Sequence, residues 1–335
     1  MRLSASATSL MQQAISSSTR GAYVTAVRNY QGWCQREGVA AELLNATSAS
    51  VVNWLAHLHD TRVNSSTISA YKSGLKTLWC EAVTARDGRA PDTPDWDSAT
   101  TARILKGIKH AAAAGEAEAR QESAATPLLP QMFEEIWRTR GATTPQESMM
   151  YAAAACALWG GMRAGEVLGE RMGVNADVKC TRANGATATS ARDTEHIGYA
   201  IRKSKTDQTM QGAEAHIAGA TPVEAWWNWW NARPQHERGG RAPLFQLGDQ
   251  ALKLSALNAF IQRRLHAEGY TDAVIMGRSY RRGAATAEAA AGASAEAIKR
   301  AGRWKSEAYK HYVDPAVANR QAAIARGRRD ASERE

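Results

Sequence analysis

The stretch AAAAGEAEARQESAATP, residues 111–127, constrains this chain more than any other. Its side chains are small or polar, and no large apolar residue recurs in it at strand or helix spacing. A segment of that kind has no face to bury, so it connects and does not build a core. Whatever lies on either side must fold around its own interior. With 335 residues and 44% hydrophobic side chains, the chain has material for two cores of ordinary size. The expected division is a flexible N-terminus over 1–14, an all-α domain over 15–112, a linker over 113–126 and a second domain over 127–335.

The first domain reads as four amphipathic helices. STRGAYVTAVRNYQGWCQREG opens on cap residues, closes on Gly38 and repeats Tyr23, Val27, Tyr30 and Cys34 at helical spacing. SASVVNWLAHLHDT aligns Val51, Leu55 and Leu58, and NSSTISAYKSGLKTLWCEA aligns Ile68, Tyr71, Leu75 and Leu78. Lys72 and Lys76 fall on the other face of that third helix. In SATTARILKGIKHAAAA, Ile104 and Ile108 point inward, with Arg103, Lys106 and Lys109 outward. A solvated face explains any one of these lysines. Together with a formal charge of +9 they favour a polyanionic partner.

The second domain mixes helices with one alternating segment, HIGYAIRKSKTDQTMQGAEAHIAG, which reads as a β-hairpin. Trp226, Trp227, Trp229 and Trp230 sit on a helix, where core packing accounts for them better than base stacking. Cys34, Cys80, Cys156 and Cys180 form no Cys-x-x-Cys pair and have no zinc-like spacing to His. Free thiols suit a reducing compartment. The N-terminus lacks the apolar core of a secretory signal, and no apolar run approaches the ~20 residues of a spanning helix. A soluble intracellular protein is expected.

Three segments of the second domain concentrate basic residues. GGMRAGEVLG sets Arg163 after two glycines, with Glu166 three residues on. RKSKTDQ places Lys203 and Lys205 near the hairpin tip. GRSYRRGAATAEAAAG brings Arg278, Arg281 and Arg282 to the entry of an alanine-rich helix. Cations at a helix N-terminus oppose its dipole, so this last group calls for an anion. Near the end, RWKSEAYKHYVDP holds Tyr309 and Tyr312 in a segment that reads as helical. Arginines that stabilise a phosphodiester, a mobile lysine that protonates a leaving oxygen and a tyrosine nucleophile suffice for DNA strand transfer. With the charge carried by arginine, that chemistry needs neither a metal nor ATP.

These motifs resemble, in order and spacing, those of the tyrosine recombinase (integrase) family. GMRAGEVL resembles its Gly-Leu/Met-Arg-x-x-Glu stretch, which makes Arg163 the first catalytic arginine and Glu166 its structural companion. KSKT resembles the hairpin of the catalytic lysine and selects Lys205. RSYRRGAAT resembles His-x-x-Arg-Arg/His-x-x-Ala-Thr, so Arg281 is the second catalytic arginine and Arg278 stands where His is usual. In AGRWKSEAYKHYV the later tyrosine, Tyr312, matches the nucleophile, and Tyr309 reads as packing. The position before it that donates a hydrogen bond to phosphate fits Arg303 by counting and Trp304 by pattern, and the indole N–H, which both donates and packs beside the tyrosine, makes Trp304 the expected donor. The resemblance spans residues 15 to 320.

It implies a mainly α fold: an all-α core-binding domain followed by an α+β catalytic domain with a small sheet. It also implies a site-specific recombinase that cuts and rejoins duplex DNA through a 3′-phosphotyrosine, as a homotetramer on two DNA sites. Further DNA contacts are expected from Lys72, Lys76, Lys106, Lys203, Arg282 and Arg303. The residues after Pro315 read either as a final helix that docks on a neighbouring subunit or as a basic tail. The alternatives are an inactive DNA-binding relative, a topoisomerase of type IB and, with the motifs as coincidence, a helical scaffold.

Overall fold

A computed structural model describes residues 4–88, 91, 93–119, 125–168, 173–202 and 212–332. The chain divides into two compact units, Met1–Glu122 and Ser123–Glu335. The first is built of helices α1 (Ala5–Gln13), α2 (Ser17–Glu37), α3 (Ser48–Asp60), α4 (Ser65–Asp87) and α5 (Ala99–Ala119). Local chemistry sets their ends. Ser16 accepts a hydrogen bond from the Thr19 amide at the start of α2, and Gly38 closes that helix in the left-handed conformation. Thr47 and Ser50 form a capping box on α3, and Asn64 accepts from the Ser66 amide to open α4.

The interior of this unit is aromatic, with Tyr30, Trp33, Trp54 and Trp96 buried among Leu55, Leu58, Ile68, Leu75 and Ile108. Asp97, next to the buried Trp96, forms ion pairs with Lys72 and, at 2.6 Å, with Lys76. Helix α1 lies within residues 1–14, and α5 runs through the first half of residues 113–126, to Ala119. Residues 111–119 are mostly alanine and glutamate, which favour helix whether or not they have an apolar face.

The second unit contains α6 (Pro130–Arg140), α7 (Pro145–Trp159), α8 (Ala164–Val167), β1 (Val178–Thr181), β2 (His196–Ile201), β3 (Ala213–Ala218), α9 (Ala220–Ala232), β4 (Gln246–Leu247), β5 (Gln250–Ala251), α10 (Leu254–Ala267), α11 (Ser279–Ala290), α12 (Ala295–Gly302) and α13 (Pro315–Ser332). From Met149 onward, helix α7 is apolar all round and lies in the core, as a helix without a polar face must. Around it pack α9, α11 and the antiparallel sheet β1-β2-β3. The expected hairpin is β2–β3, in register from His196 opposite Ala218 to Ile201 opposite Ala213. Trp226 and Trp229 are buried, and Trp227 and Trp230 pack against the same core. All four cysteines are free thiols. The fold is therefore mainly helical with small sheets, and no described helix is long and apolar enough to cross a membrane.

Candidate active site

Helix α7 stops at a glycine pair, and Gly161 turns the chain with φ +52°. A side chain there would meet the Ala301 carbonyl at 3.4 Å, so the turn lies directly on the end of α12. The next residues place Arg163 at the cap of α8. Its backbone N–H donates to Glu166 Oε2 at 3.0 Å and its Nη1 donates to Oε1 at 2.8 Å. Glu166 is 1% exposed and accepts both of these bonds from Arg163.

Arg281 is brought in by α11. A Cβ at Gly283 would stand 1.7 Å from the Leu128 carbonyl, so only glycine lets α11 press onto the segment before α6. That contact turns Arg281 into the protein, where it is 1% exposed. Its Nη2 donates to the Gly302 carbonyl. Its Nη1 lies 3.9 Å from Glu166 Oε2, beyond hydrogen-bond reach. Both Nε and Nη1 are buried without a hydrogen-bond partner. The guanidinium carbon sits 4.2 Å over the Trp304 ring and 5.7 Å from that of Tyr312. Burial, with Arg163 beside it, pushes the Arg281 pKa down to about 10. Arg303 also reaches Glu166, at 3.3 Å. Among the described residues, three guanidinium groups share this one buried carboxylate.

Tyr312 directly follows a 3-10 helix, Glu307–His311, where the sequence reading expects an α-helix. Tyr309 is 8% exposed and packs with Ala285, Ile298 and Trp304. Tyr312 is only half-buried, its ring 5.3 Å from that of Trp304. Gly302 is fixed by the same cluster, since a Cβ there would fall 1.6 Å from the Trp304 ring. Two bonds tether the chain just after Tyr312: the Asp314 amide donates to Thr286 Oγ1 at 3.0 Å, and Arg282 Nη2 donates to Asp314 Oδ2 at 3.2 Å. Asp314 Oδ1 also accepts from the Val317 amide at the start of α13.

The structure thus brings Arg163, Glu166, Arg281, Arg303, Trp304 and Tyr312 together. Arg278 stands exposed at the N-terminal end of α11. Lys203 and Lys205 lie outside the described residues, as does the whole hairpin tip. Four residues read from the sequence as DNA contacts hold partners within the protein. Arg282 donates to the Ala125 carbonyl and to Asp314. Arg303 faces inward, and Lys72 and Lys76 are paired with Asp97. Lys106 is exposed on α5, as are Arg103 and Lys109. Thr286, Gly302 and Asp314 were missed as positioning residues. Aspartate followed by proline at a helix start is a sequence signal that points to Asp314. No group of three or more His, Cys, Asp or Glu side chains is arranged to hold a metal among the described residues.

Residues 8–86 match the family model "Phage integrase, N-terminal SAM-like domain". In overall fold the chain is similar to XerH site-specific recombinase bound to palindromic difH substrate in a post-cleavage complex. That likeness has 12% identity and a TM-score of 0.58, covering 89% of this chain and 78% of the other. It is also similar to the Tn1549 transposon integrase in complex with transposon right end DNA, with 14% identity, a TM-score of 0.50 and 95% of each chain covered. A search of curated proteins by sequence finds no match. By sequence, the first unit matches an integrase-type N-terminal domain, and over most of its length the chain is similar in fold to site-specific recombinases.

Proposed function

We propose that this chain cuts and rejoins duplex DNA at specific sites, with Tyr312 as nucleophile. The phenol oxygen attacks the scissile phosphorus, forming a 3′-phosphotyrosine and releasing the 5′-oxygen. Arg163 and Arg281 stabilise the charge on the non-bridging oxygens, with Arg278 reaching the phosphate from the exposed end of α11. Lys205 protonates the departing oxygen. A 5′-hydroxyl from a second duplex reverses the step, so strands are exchanged at no net loss of phosphodiester bonds. Trp304 packs between Arg281 and Tyr312. Exposed Arg103, Lys106 and Lys109 bind the duplex backbone from the first unit.

One observation carries this reading. Arg281 is a buried cation with two unpaired nitrogens beside a tyrosine ring, and three arginines share one glutamate there. Buried charge is costly unless paired, so the cluster is built for a second anion. A phosphodiester fits that need. In the proposed assembly, four subunits act on two DNA sites inside the cell. Within one chain, α13 already packs on α11 through the Val317 and Ala318 region.

The test is covalent trapping. Nicked suicide duplexes, enriched by rounds of binding selection, are incubated with wild type, Tyr312→Phe and Tyr309→Phe and run on denaturing gels. The expected result is an adduct with wild type and Tyr309→Phe that is lost with Tyr312→Phe. Binding without any adduct would instead identify an inactive DNA-binding relative.

A further inference from the structure

We infer that Arg303 is a positioning residue that locks the Arg163 turn onto Arg281, and not a contact to the phosphate. The inference deepens the proposed function and rests on it for the catalytic consequence.

Arg303 follows α12 in the left-handed conformation, with φ 57°. For a residue with a Cβ that backbone is strained, by an amount on the order of 1 kcal/mol or more. The surrounding bonds hold it there. Its Nη1 donates to the Gly160 carbonyl at 2.9 Å, and its Nη2 to the Gly161 carbonyl and Glu166 Oε2, each at 3.3 Å. Burial lowers its pKa, and Glu166 works against that shift. One guanidinium therefore ties down the two carbonyls that end α7 and the carboxylate that holds Arg163. The preceding residue, Gly302, offers its carbonyl to Arg281. Residues 302 and 303 form a short bridge: one end fixes Arg281 and the other fixes the turn that presents Arg163. The following residue, Trp304, lies under the Arg281 guanidinium and packs at a tilt of 52° against the Tyr312 ring.

A planar fork that reaches four acceptors at once suits positioning, and lysine cannot reproduce it. To touch phosphate through Nη1 or Nη2, Arg303 would have to give up acceptors it holds, stranding the carbonyls of the buried residues Gly160 and Gly161. That arrangement favours a fixed strut over a mobile ligand.

The test uses the full chain with Arg303→Ala and Arg303→Asn. Asparagine tolerates the left-handed backbone while lacking the fork, so it separates loss of the side chain from misfolding. Without DNA, hydrogen exchange at the amides of 161–166 should rise about tenfold in both variants, with α9 and the sheet unchanged. With trapping duplexes, the adduct rate should fall roughly 10- to 100-fold while DNA binding stays within about twofold. In an Arg163→Ala background the same change should cost less than about threefold, because the two residues act as one unit. Unchanged exchange, or losses that multiply in the double variant, would overturn the inference. If wild type forms no adduct, the proposed function fails, and the exchange result alone still decides whether Arg303 locks the turn.

Discussion

At the level of single residues, Arg281 sets function against stability. Its Nε and Nη1 are buried without a hydrogen bond, and each such donor costs on the order of 1–3 kcal/mol. Arg281→Met removes the charge while keeping an unbranched chain against Trp304. Glu166 would keep Arg163 and Arg303 as partners. The variant is therefore expected to melt no lower than wild type, and higher by a few degrees, while forming no adduct. A clear fall in melting temperature would show that Glu166 and the stacked ring already satisfy the guanidinium. Gly302→Ala should do the opposite. Its methyl would overlap the Trp304 ring at 1.6 Å, displacing the ring from Arg281 at a cost of about 1–3 kcal/mol. Thermal melts of both variants give the comparison.

At the level of elements, the legible parts were those with local patterns. Arg163, Arg281 and Tyr312 each lie within a short motif, and the β2–β3 hairpin shows in its alternation. The helical course of residues 113–119 was hidden because periodicity, not propensity, set the reading. The inward turn of Arg303 was not legible either, since its acceptors at Gly160, Gly161 and Glu166 lie over 130 residues away and carbonyls leave no mark in a sequence. Lys72 and Lys76 looked solvent-facing because Asp97 comes from a loop beyond their helix. That clamp has a testable pH signature. Burial works to raise the Asp97 pKa, and the hydrogen bonds from the two lysines outweigh it, holding the carboxyl below its usual range. The stabilisation is then full above the ordinary carboxylate range and is lost as pH falls through the depressed value. Asp97→Asn should cost the first unit about 1–3 kcal/mol at neutral pH, a difference that narrows in acid. Denaturant melts across pH would show it. Replacing Arg103, Lys106 and Lys109 with glutamine should lower the salt slope of duplex binding by up to about 3 without unfolding α5.

At the level of the whole molecule, two hydrophobic interiors separate the chain. One is aromatic and centred on Trp54, and the other is built around the alanine-rich α7. Because each unit buries its own core, calorimetry is expected to resolve two transitions, and Trp54→Ala should lower only one, by about 3–5 kcal/mol. A single transition moved as a whole by that change would mean that the units melt together.

The order of the site along the chain has a consequence of its own. Arg163 is made first, then Arg281, then the bridge at residues 302 and 303, and Tyr312 last. On the proposed mechanism, a product that ends short of residue 312 holds phosphate-gripping arginines but no phenol. Such a chain can occupy a duplex and cannot break it. Premature termination would then yield a competitor and not a nuclease, and genome damage would be confined to molecules whose synthesis has passed the nucleophile.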